Sequence, residues 1–171
     1  MPTGKVSITQ LTPLLFLERS AEVFPDRVAI VYGDRRLSYA GFAEGAQRLA
    51  SALRASAIAP GDRVAYLLPN VPELLVAHFG VPLAHAVLVA INTRLSGAEV
   101  ETILRHSGAR SLVADTQLLE TIALEPSSCP DLEEVVAIDD VGQEAPFETT
   151  PYAELLVRAD GSAGVWTTRS A

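Results

Sequence analysis

Residues Gly61 to Leu95 read GDRVAYLLPNVPELLVAHFGVPLAHAVLVAINTRL, the densest apolar stretch in the chain. Pro60-Gly61 signals a turn, because proline presets φ and glycine accepts a positive one. Arg63 to Leu68 follows as a short apolar strand, and Pro69-Asn70 stops it. Asn70 is placed to cap a helix, with Glu73 three residues on completing a capping box. Leu74, Leu75, His78 and Phe79 recur at helical spacing, and Gly80 and Pro82 are expected to end that helix. Ala86 to Ile91 then reads as a second strand, rich in Val and Leu. Near-continuous apolar runs belong to strands buried on both faces of a parallel sheet. The stretch predicts a βαβ unit.

Working outward, the same alternation continues on both sides. Thr12-Pro13 opens a helix over 11–23, and Gly33-Asp34 turns a β-hairpin between Arg27–Tyr32 and Arg35–Leu37. Ser38 caps a helix whose stripe is Tyr39, Phe42, Ala46, Leu49, Ala50 and Leu53. Downstream, Ser96 and Glu99 form a capping box, Val100, Ile103 and Leu104 an apolar face, and Gly108 a C-cap. Ser111 to Ala114 predicts a third buried strand, with Asp115 or Thr116 capping a short helix through Leu124. A loop over 125–132, a strand over 135–138, an acidic loop over 139–150 and a helix from Thr150-Pro151 through Arg158 complete the pattern. The expected class is α/β, an open layered sheet with flanking helices. Residues 1–10 are expected to be flexible, 11–158 to form the α/β domain, and 159–171 to be a disordered tail.

Composition narrows the function classes. Of 171 residues, 49% are apolar and 20% charged, a globular balance with room for one core. The net charge of −8 gives no basic patch with which to release counterions from nucleic acid or an anionic membrane. Cys129 is the lone cysteine, so no intrachain disulfide or thiolate metal site is expected, which suits a cytoplasmic location. Leu74 to Ile91 lacks acids and bases over nearly a membrane-spanning length, yet Gly80, Pro82, His78 and His85 interrupt it. No transmembrane segment is expected.

Three segments in register carry a family resemblance: RVAIVYGDRRLSYAGF (27–42), APGDRVAYLLPNVPELLVAHFG (59–80) and VLVAINTRLSGAEVETILRHSGAR (87–110). Together they resemble the N-terminal part of the AMP-forming (fatty) acyl-CoA synthetases of the adenylate-forming ligase superfamily, over roughly residues 12–158. That resemblance implies the reaction carboxylic acid + ATP + CoA to acyl-CoA + AMP + pyrophosphate, with ATP, Mg and CoA as requirements of the full-length family. It also implies a Ser/Thr/Gly-rich loop ending in Pro-Lys-Gly just downstream of the matched region. No such run occurs here; Gly161 to Arg169 comes nearest and has no lysine. The expectation is therefore a chain truncated before the phosphate-binding loop, inactive alone, with no catalytic residue, no metal site and no cofactor of its own.

Candidate site residues are few. The best family-matched polar cluster is Asn92-Thr93-Arg94, beyond the second apolar strand: Asn92 can cap or turn, and Arg94 can pair with an acid or face a ligand. Asp139-Asp140 follows a strand's C-terminal end, either as a metal-binding pair or as a solvated loop. His78, His85 and His106 lie on separate elements without metal spacing. Relatives commonly have glycine where Ala57 and His85 stand, so Ala57 is a candidate left-handed helix end, and His85 marks a tight helix-to-strand turn or a close backbone approach. The alternative function is a non-catalytic interaction module, which pairs with itself or with a chain supplying the missing ligase parts.

Overall fold

A computed structural model of the protein describes residues 11–139 and 145–159. The elements are α1 (Pro13–Val23), β1 (Val28–Tyr32), β2 (Arg35–Ser38), α2 (Tyr39–Ala55), β3 (Arg63–Leu67), α3 (Pro72–Leu83) and β4 (Val87–Ala90). After them come α4 (Gly97–Ser107), β5 (Ala109–Asp115), α5 (Thr116–Ile122), a 3₁₀ turn at Pro126–Ser128, β6 (Glu134–Ile138), β7 (Thr150–Pro151) and α6 (Tyr152–Val157). The expectations for residues 1–10, for Asp140 and for the tail from residue 160 lie outside the described residues.

Five strands form one parallel sheet in the order β4-β3-β5-β6-β7, with Tyr66 opposite Ala90 and Val113, and Val113 opposite Val136. Alternation along the strands divides the core in two. Val64, Tyr66, Leu68, Val113, Val136 and Ile138 pack with α1, α2, α3 and α6 on one face. Ala65, Leu67, Leu112, Ala114 and Val135 pack with Val100, Leu104 and Leu119 of α4 and α5 on the other. The antiparallel pair β1–β2 stands apart as its own two-stranded sheet. This is the α/β layered architecture the sequence predicts.

Local signals account for most boundaries. Ser38 Oγ accepts the Gly41 N–H at 3.2 Å, and Asp115 Oδ1 accepts the Leu118 N–H at 3.1 Å. Glu99 takes the Ser96 N–H at 2.9 Å, and Gly108 closes α4 at φ 61°. Ala57 and His85 do occupy left-handed backbone, at φ 60° and 62°, each with a Cβ that favours neither.

Six expectations are corrected. Asn70 does not cap α3: Val71 is the N-cap, Pro72 supplies the preset φ of the first helical residue, and Arg35 draws Glu73 away at 2.7 Å. Gly80 and Pro82 do not end α3, which runs on to Leu83. Gly80 is where α3 crosses α2, and an added Cβ would lie 2.8 Å from the Leu49 side chain and 3.0 Å from the Ala46 carbonyl. Pro82 lies inside the helix, where it has no N–H to offer the His78 carbonyl one turn back. The strand over 86–91 shortens to β4 and is half-exposed, because β5 inserts on the far side of β3 and leaves β4 at the edge. Thr12 precedes α1 as expected, but its hydroxyl caps nothing. The helix after Asp115 stops at Ile122, with Ala123 left-handed at φ 48°, rather than reaching Leu124. Thr150-Pro151 forms the edge strand β7, where a missing N–H is tolerated, and the helix begins at Tyr152.

Candidate functional site

In open parallel sheets, ligands bind beyond the carboxyl ends of the strands, where the connections leave to opposite faces. Here β3 and β5 are neighbours. The chain leaves β3 into α3 on one layer and leaves β5 into α5 on the other. That edge carries Asn70 after β3, Asn92 to Arg94 after β4, Asp115 and Thr116 after β5, and Asp139 after β6.

Each side chain there has a defined place. Asn92 Oδ1 accepts the Arg94 N–H at 3.0 Å, an Asx turn, so the turn role of Asn92 is realised. Arg94 is exposed, and its guanidinium has no partner among the described residues. Thr116 is buried and donates its hydroxyl to the Ile138 carbonyl at 3.1 Å, tying the exit of β5 to the end of β6. A hollow of about 360 Å³ opens beside it, lined by Thr116, Ile138, Asp139, Pro151 and Tyr152. Burial pushes the Tyr152 phenol above its ordinary range, and the charge of Glu73 adds to the effect. Burial also raises Tyr66, fully buried in β3, well above its ordinary value, and its hydroxyl has no partner among the described residues. These tyrosines were invisible in the sequence, because an aromatic in an apolar strand reads as core whatever its hydroxyl meets.

Two of the helix N-termini facing this edge are met by carboxylates: Glu99 occupies the start of α4 and Asp115 the start of α5. Helix α3 has no side-chain cap, Pro72 brings no N–H, and Glu73 in its first turn pairs with Arg35. An anion is suited to unfilled N–H groups at a positive dipole end, which the carboxylates offset at α4 and α5. The three histidines stay separate: His85 is exposed, and His78 Nδ1 bonds the Leu74 carbonyl at 2.8 Å. Among the described residues no three His, Cys, Asp or Glu side chains group as metal ligands.

The opposite edge of the sheet is filled with arginine contacts. Arg63 donates through Nε to the Ser107 carbonyl at 2.5 Å and through Nη2 to the Gly108 carbonyl at 2.6 Å. Arg110 bonds Asp62 at 2.6 Å, Glu133 at 2.6 Å and the Ala57 carbonyl at 3.2 Å. Arg158 joins Glu134 at 2.9 Å to Ser56 at 3.1 Å. The Ala59 N–H and then Arg110 hold the Asp62 carboxyl below its ordinary range.

The family model for AMP-binding enzymes matches residues 17–162. This chain belongs to that family. It is 39% identical over 117 residues to an Arabidopsis thaliana peroxisomal acetate/butyrate–CoA ligase, covering 68% of this chain and 21% of the relative. It is 41% identical over 121 residues to 4-hydroxybutyrate–CoA ligase 2 of Metallosphaera sedula, covering 71% and 22%. An Arabidopsis thaliana peroxisomal benzoate–CoA ligase is 35% identical over 158 residues, covering 88% and 27%. The chain thus spans about a quarter or less of the length of these curated relatives. Among solved structures, an anthranilate–CoA ligase in complex with anthranoyl-AMP superposes with TM-score 0.77 at 26% identity, over 90% of this chain and 29% of that one. A Mycobacterium tuberculosis fatty acyl CoA synthetase gives 0.70 at 29%, over 88% and 28%. This member of the AMP-binding enzyme family is therefore the N-terminal portion of the adenylate-forming ligase fold. No helix of the described residues is long and apolar enough to cross a membrane.

Proposed function

We propose that these 171 residues are the N-terminal scaffold of an acid–CoA ligase, which joins a carboxylic acid to coenzyme A while ATP becomes AMP and pyrophosphate. The observation that carries this reading is the AMP-binding match over 17–162, together with at least 35% identity to three ligases named for that chemistry. Those relatives are named for acetate and butyrate, 4-hydroxybutyrate, and benzoate, so the proposed substrate class is a carboxylic acid, of which a fatty acid is one member. A cytoplasmic location is part of the same proposal.

The scaffold role is supported by two observations: carboxylates occupy the starts of α4 and α5, and the sequence has no Pro-Lys-Gly run with which to hold a triphosphate. Adenylation chemistry then belongs to parts of the ligase that this sequence does not contain. The test is acid-dependent exchange of pyrophosphate into ATP. The purified 171-residue chain is expected to show none. The Metallosphaera sedula ligase, with its own N-terminal segment replaced by residues 11–159, is expected to retain exchange. Activity of the isolated chain would overturn the scaffold role, and a folded but inactive chimera would overturn the ligase assignment.

A second reading, an interaction module that pairs with itself or with a complementing ligase chain, is favoured by the exposed apolar residues Val28, Val31, Tyr32 and Leu75. Concentration-dependent mass measured by light scattering tests the self-pairing form. A monomer at all concentrations would exclude it.

A further inference from the structure

We draw no further inference here: the strongest candidate, the hollow of about 360 Å³ at the carboxyl end of β6 lined by Thr116, Asp139 and Tyr152, belongs to the strand-exit edge already described as the candidate site.

Discussion

The two edges of the one parallel sheet differ in how their polar groups are used. At the edge where the strands begin, Arg63, Arg110 and Arg158 each bridge two or more elements, and the carbonyls ending α2 and α4 accept arginine N–H groups. At the edge where the strands end, Asn92 closes its own turn, Arg94 extends without a partner among the described residues, and Thr116 makes a single buried bond. A partly buried arginine on helix-terminal carbonyls stabilises through charge-assisted hydrogen bonds. A lone exposed cation stabilises nothing, and this is the edge where open α/β sheets bind ligands. The comparison teaches that stability is concentrated at one edge and the other is left available.

The largest test of this contrast is a pair of arginine substitutions. Arg63→Ala should cost about 2 kcal/mol, since it removes charged donors from the Ser107 and Gly108 carbonyls. Arg94→Ala should stay within about 0.5 kcal/mol of the parent. Urea unfolding followed by circular dichroism reads both, and equal losses would erase the distinction between the edges.

Next in size is Thr116→Val, expected to cost about 1 kcal/mol because the Ile138 carbonyl loses its buried donor at nearly constant side-chain shape. A neutral result would mean that the ends of β5 and β6 are held by packing alone. Smaller, and of opposite sign, are Ala57→Gly and His85→Gly. Each relieves left-handed backbone on an exposed turn but adds freedom to the unfolded chain, so the net gain should not exceed about 1 kcal/mol. A loss in both would show that these turns are not strained.

The fold was legible because strand, cap and turn signals agree with one another: Ser38, Ser96, Gly108 and Asp115 act locally, and their geometry follows from neighbours three or four residues away. What depends on distant residues was not legible. Gly80 reads as a helix breaker, but its missing Cβ admits Leu49 of another helix, and only the packed pair reveals that. The apolar run of β4 reads as a central strand, yet its place is set by where the later strand β5 inserts. Asn70 and Glu73 fit a capping box until Arg35, 38 residues away, takes the carboxylate. The site divides in the same manner. Asn92 and Arg94 were marked by resemblance and position, whereas the Thr116 bond and the unpaired Tyr66 hydroxyl exist only once β5, β6 and α6 are side by side.

The smallest effect is on acid stability, and its sign follows from Asp62. The Ala59 N–H at 2.9 Å and then Arg110 at 2.6 Å hold this carboxyl below its ordinary value, whereas the unfolded chain titrates near 4. The folded state therefore binds the proton less readily than the unfolded one. The contribution is present in full above the ordinary aspartate range and disappears as pH falls through the lowered folded value. Glu99, lowered by Ser96 at the other edge, acts in the same direction, so the parent curve contains both. Subtracting the curve of Asp62→Asn isolates the first edge. The difference should be constant near neutral pH, shrink below about pH 4 and vanish once both forms are protonated. A difference that stays constant into acid would mean that Asp62 acts at the strand-entry edge through shape rather than charge, and that arginine pairing there is not what separates the two edges.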